Sequence, residues 1–112
     1  MSHLVNELAE LDKLIHEPAR LVILTALSVV ESLDFLFLQN LTGLTAGNLS
    51  GHLTRLEEAG LIQISKEIVG KRPKTTLRLT SAGHQAIDDH WQRLNDLKQK
   101  TQESASQRLD DD

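Results

Sequence analysis

Between Leu49 and Thr80 the spacing of apolar residues changes its period, and few folds accommodate that change. Leu49, Leu53 and Leu56 are separated by four and three positions, which puts them on one side of a helix. Gly60 is a C-terminal stop for that helix. From Leu61 the pattern alternates instead, so that Leu61 to Ser65 and Thr75 to Thr80 each read as a short strand. The residues between them, Gly70 and Pro73 included, predict the loop of a hairpin. Thr80 or Ser81 then starts a last helix, with Ala82, Ala86, Ile87, Trp91, Leu94 and Leu97 as its apolar residues.

Upstream of the seam the pattern is helical throughout. Leu4, Leu8, Leu11 and Ile15 form a stripe that predicts a first helix from His3 to about His16. Pro18 suits the start of a second, whose apolar residues run from Ala19 to Val30. Asp34 is an N-cap for a short third helix, Phe35 to Leu41, and Thr45 caps the fourth after the tight turn Gly43-Leu44-Thr45. Residues 1–100 therefore read as one domain, and 101–112, polar and ending in three aspartates, as a frayed or disordered tail. The fold class is mainly α (α+β). It is a helix-turn-helix followed by a two-stranded wing, with a helix at each end of the chain. That order places one helix at the major groove of a duplex and a hairpin beside it on the phosphates.

Charge supports the same reading. The net charge is −4, but from Thr45 to Thr80 six basic residues face three acidic ones, a local surplus of three. Three of those cations, Lys71, Arg72 and Lys74, fall within four positions around Gly70 and Pro73. Salt screens the acidic ends beyond about 8–10 Å, so a positive patch can still attract a polyanion. With no cysteine in the chain, disulfides and thiolate metal ligands are excluded. With no tyrosine, two phenylalanines and one tryptophan, a platform for stacking unpaired bases is not expected. No apolar run approaches the roughly twenty residues needed to cross a bilayer, and no basic-then-apolar leader follows Met1. The expectation is a soluble, cytoplasmic protein without a membrane partner.

The stretch LTAGNLSGHLTRLEEAGLIQI, Leu44 to Ile64, followed by KRPKTTLRLTSAGHQAI, Lys71 to Ile87, resembles the small winged-helix transcriptional regulators related to the MarR and ArsR families. The resemblance covers about residues 16–95. It implies a homodimer on double-stranded DNA, with Thr45 to Arg55 supplying groove-facing residues and Lys71, Arg72 and Lys74 at the wing tip. It implies no catalytic residue and no cofactor.

At 100° per residue, Gly47 and Gly51 fall opposite the Leu49–Leu53–Leu56 seam, where similar regulators carry Arg, Gln or Ser. Thr45, Asn48, Ser50, Thr54 and Arg55 surround them. Two glycines in a helix cost about 1 kcal/mol each relative to alanine. The expectation is that they let the helix backbone approach DNA, leaving Asn48, Ser50 and Arg55 to reach bases or phosphates; the other reading is that they relieve crowding. Leu4, Leu8 and Leu11 at one end, with Ile87, Trp91 and Leu94 at the other, offer more apolar face than a small domain covers alone, and predict a two-fold dimer interface.

Five histidines raise a metal site, but His84 and His90 lie six apart on different faces and no site is assigned. His84 is expected to pack or hydrogen-bond near the wing. His52, beside the seam, suits either packing or a phosphate contact. No nucleophile triad, phosphate loop or acid pair marks an enzyme. A small-molecule effector between the terminal helices and the wing domain is compatible with the layout, though no residue marks its pocket. The alternative to a DNA-binding regulator is a winged helix used for protein interaction, since fold alone does not set function.

Overall fold

The computed structural model describes residues 2–111. Five helices and three strands follow the order α1 (Ser2–Ala9), α2 (Pro18–Ser28), β1 (Leu33–Asp34), α3 (Phe35–Thr42), α4 (Ala46–Glu58), β2 (Ile62–Val69), β3 (Arg72–Leu79) and α5 (Ser81–Asp111). The core is built where their apolar faces converge. Ile23, Leu24 and Leu27 of α2, Leu38 of α3, Leu49 and Leu56 of α4, Leu77 of β3 and Ile87 of α5 are all fully buried. The mainly α architecture with a hairpin between the fourth and fifth helices is as expected.

Local chemistry sets the helix starts. The Asp34 carboxylate accepts the Phe37 N–H at 2.7 Å, and the Thr45 hydroxyl accepts the Asn48 N–H at 3.1 Å. Gly43, at φ 72°, ends α3 in the left-handed conformation and turns the chain into α4.

Both terminal helices and the sheet depart from the sequence reading. The first helix stops at Ala9 instead of continuing to His16, because Asp12 turns the chain by accepting the Leu14 N–H at 2.8 Å. The turn sends Leu11 and Ile15 into the interior, 5% and 4% exposed. The last helix does not fray at Thr101 but runs to Asp111. It contains no glycine or proline after Gly83, and i,i+4 bonds such as Gln92 to Asp96 and Thr101 Oγ1 to the Leu97 carbonyl continue along it. Leu33 and Asp34 add a short strand against Leu77 and Thr76, giving sheet order β1-β3-β2. Two residues carry no periodic signal, so no sequence pattern marked it.

The hairpin is longer and its bend tighter than expected. β2 and β3 pair from Ile62↔Leu79 out to Val69↔Arg72, leaving only Gly70 and Lys71 in the turn. Gly70 has φ 67° and no non-glycine residue among those described has positive φ, which matches a type II′ turn. Arg72, Pro73 and Lys74 are therefore strand residues, a correction to their placement in a loop. Val69 and Arg72 close the turn as the hydrogen-bonded pair, so the next pair, Ile68 and Pro73, is the non-bonded one. Pro73 thus lacks an N–H on the side away from β2, and β1 does not extend that far.

Candidate nucleic-acid interface

The outward face of α4 is open. Thr45, Gly47, Asn48, Ser50, Gly51, Thr54 and Arg55 are all exposed, while Leu49, Leu53 and Leu56 face the core. A Cβ at Gly47 or Gly51 would meet nothing within 4 Å. Crowding within the chain therefore does not account for these glycines. Thr45 is partly committed as the cap of α4.

Alternation divides the hairpin into two faces. Ile62, Ile64, Lys66 and Ile68 pair with Leu79, Leu77, Thr75 and Pro73 on the core side, and this face continues outward past α4. Gln63, Ser65, Glu67 and Val69 pair with Arg78, Thr76, Lys74 and Arg72 on the other. Lys71 sits at the bend. Arg72, beside the bend, and Lys74, two residues farther in, are exposed and project from the face opposite α4. A crevice of about 330 Å³ lies between α4 and the inner face, lined by Phe35, Ser50, Leu53, Thr54, Ile64, Lys66 and Thr75. Lys66 was not singled out from the sequence, although it continues the Ile62, Ile64 alternation by one step.

Beneath α4 lies a polar network that sequence spacing did not reveal. Arg20 is buried, donating from Nε to the Leu14 carbonyl at 2.6 Å and lying 3.0 Å from His52 Nδ1 through Nη1. His52 is 3.6 Å from the Glu17 carboxylate, which also accepts the Arg20 N–H. Burial pushes the Glu17 pKa up, but the N–H groups of Arg20 and Ala19 and the charges of His52 and Arg20 outweigh it and hold the carboxyl below its usual range. His52 thus engages the domain's own charges. His16 Nδ1 lies 3.0 Å from His90 Nε2, and His90 is buried. Burial lowers the His90 pKa, His16 and Arg93 lower it further, and Asp12 opposes them. His84 is exposed. No group of three metal-ligating side chains occurs among the described residues, and no helix is long and apolar enough to cross a membrane.

The residues expected at a dimer interface separate into two sets. Leu11 and Ile87 are buried within the chain and are not available to a second copy, a correction to that assignment. Leu8 is 46% and Trp91 44% exposed, the latter with its indole N–H on Thr25 Oγ1 at 2.9 Å. Leu4, Leu8, Leu94 and Leu97 line an open crevice of about 340 Å³ between α1 and α5.

Residues 19–98 match the family described as winged helix DNA-binding domain. The chain belongs to that family. An uncharacterised protein of Methanocaldococcus jannaschii is 33% identical over 78 residues, spanning 70% of this chain and 85% of that protein. A transcriptional regulator homologue from Pyrococcus horikoshii has a similar structure, with TM-score 0.78 and 28% identity over 86% of this chain and 97% of its own. S. aureus MepR, solved as a DNA complex, has TM-score 0.71 over 96% of this chain and 90% of its own; at 20% identity it speaks for the fold alone. The chain thus carries a winged helix DNA-binding domain, as the residues Leu44 to Ile87 led one to expect.

Proposed function

We propose that the protein is a homodimeric transcriptional regulator that binds specific double-stranded DNA, with α4 in the major groove and the hairpin on the phosphates. The observation carrying this reading is the bare outer face of α4, beside a rigid hairpin that bears Lys71, Arg72 and Lys74. Gly47 and Gly51 let the helix backbone approach the bases, and Asn48, Ser50, Thr54 and Arg55 supply the side chains at its margins. Specificity then depends on DNA shape and half-site spacing as well as direct contacts. The second copy is held through Leu4, Leu8, Trp91 and Leu94. For a small-molecule effector the place is the crevice of about 290 Å³ between α1 and α5, where Glu7, Glu10, Arg93 and Lys100 gather.

Fluorescence anisotropy on duplex fragments selected from the source genome tests the reading. Neutralising some six to ten phosphates makes affinity fall by roughly 10³–10⁵ between 50 and 200 mM salt. Alanine at Lys71, Arg72 and Lys74 together weakens binding to all sequences and flattens that dependence. Gly51→Arg abolishes binding to the selected site. Failure to bind even random duplex at low salt would favour a protein-interaction module instead.

A further inference from the structure

The two sides of the hairpin offer their cations in different settings. On the outer side, Lys74 pairs across the strands with Glu67 and shares its surroundings with Asp34. Each negative neighbour weakens the attraction a phosphate would feel there. On the inner side, the crevice between α4 and the hairpin holds Lys66 and no acidic residue at all. Neither Lys66 nor Lys74 takes part in the two ion pairs found among the described residues, so the difference lies in the acidic residues standing nearby.

Around that ammonium stand three hydroxyls. Ser50 and Thr54 are one turn apart on α4, and Thr75 is the cross-strand partner of Lys66. Elsewhere in the protein hydroxyls are used internally, as where Thr25, Thr42 and Thr80 donate to backbone carbonyls. Those of Ser50, Thr54 and Thr75 have no such partner among the described residues, and they face a crevice open to solvent. Phe35 and Ile64 floor it, an apolar surface suited to a deoxyribose ring and poor for a hydrated small anion.

We infer that this crevice seats the sugar-phosphate backbone of one DNA strand, with Lys66 neutralising a phosphate and Ser50, Thr54 and Thr75 donating to its oxygens. The inference rests on the reading of the chain as a duplex-binding regulator. It makes Lys66, rather than Lys74, the dominant strand-borne cation of the hairpin. A phosphate held there lies between the groove occupied by α4 and the tip at Lys71, so it fixes the angle at which the helix enters.

The experiment compares wild-type protein with Lys66→Ala, Lys66→Met, Lys74→Ala and Thr54→Ala on one selected duplex, by anisotropy across a salt series. The side chains of all three positions are exposed, and unchanged melting temperatures check that each variant is folded. Lys66→Ala and Lys66→Met are expected to weaken binding about tenfold and to reduce the slope of log affinity against log salt by about 0.9 per protomer. Thr54→Ala is expected to weaken binding about threefold with the slope intact, and Lys74→Ala less than twofold. Wild-type affinity and slope in both Lys66 variants would overturn the inference while leaving the regulator reading in place. A Lys74→Ala loss equal to that of Lys66→Ala would also overturn it. If the wild type binds no duplex at low salt, both fail together.

Discussion

The two halves of α5 share one continuous helix and little else. Over its first three turns it is held from outside: Gly83 passes beneath the Leu61 carbonyl, Ile87 is fully buried, and His90 is 3% exposed. Beyond Trp91, among the described residues, only Leu94 and Leu97 are partly covered, and Lys98 to Leu109 are exposed. The first half is placed by a core. The second, rich in helix formers and laid against α1 alone, owes its helicity to local propensity and side-chain pairs. A helix of 31 residues is about 46 Å long, so much of it extends beyond the wing domain. Under the proposed dimer one half reports on folding and the other on assembly, and substitutions in the two should fail differently.

The largest effect belongs to the first half. A methyl group at Gly83 would overlap the Leu61 carbonyl oxygen. That oxygen already accepts the Thr80 N–H at 3.0 Å, while Thr80 Oγ1 donates to Gly60 and accepts from Gly83. Backbone cannot yield there as a flexible side chain would. Gly83→Ala is expected to cost about 3 kcal/mol, lowering the melting temperature by about 15 °C in calorimetry. Gly51→Ala is the control: its Cβ meets open space, and it should raise stability by about 1 kcal/mol. Equal melting temperatures for the two variants would erase the contrast between a glycine kept for packing and one kept for an outer surface.

Next comes the second half. Leu8→Glu places a charge on the crevice formed with Leu94 and Leu97 and leaves the wing domain's core untouched. A hot-spot loss of about 2 kcal/mol weakens a dimer roughly thirtyfold. Sedimentation equilibrium should show the mass falling toward the 12.5 kDa of one chain at concentrations where the wild type is twice that. A wild-type mass of one chain at every concentration would mean that the long helix is stable without a partner.

His90 marks the boundary between the halves and gives a smaller, pH-dependent effect. Its folded pKa is lowered, so the folded protein keeps it neutral while the unfolded chain takes up a proton below about pH 6.5. Its contribution is complete above that value and is lost progressively as pH falls. Glu17, also lowered, adds an acid loss in the carboxylate range. Denaturant midpoints measured from pH 7.5 to 5 should decline in the wild type and decline less in His90→Gln. Identical pH profiles would remove His90 as the cause.

How much of this was legible depended on whether a residue's role follows from period. The Leu49–Leu53–Leu56 seam, the caps at Asp34 and Thr45, and the hairpin after Gly60 all follow from spacing, and the structure places them there. Leu11 and Ile15 kept the helical period while their backbone did not, because an Asx turn at Asp12 delivers them to the core by another route. Arg20, His52 and Glu17 are scattered over 36 positions of sequence and meet only when α2 packs on α4. Arg72 and Lys74 were read as a charged loop, since composition reports a positive patch without reporting which side of a strand bears it. Lys66 was missed because the expected strand ended at Ser65; the strand runs on to Val69, and alternation then puts Lys66 on the inner side.

The smallest effect sharpens the comparison by being nearly absent. Lys100 reaches Glu7 at 3.2 Å, tying the free half of α5 to α1, but the two side chains are 54% and 41% exposed. An ion pair so open to water gains little Coulomb energy and restrains two long side chains. Lys100→Met should therefore change stability by less than about 0.5 kcal/mol, and still less in high salt. If it instead lowered the melting temperature as far as Leu8→Glu weakens assembly, the second half of α5 would be fixed by charge within one chain, and its apolar crevice would not need a second copy to explain it.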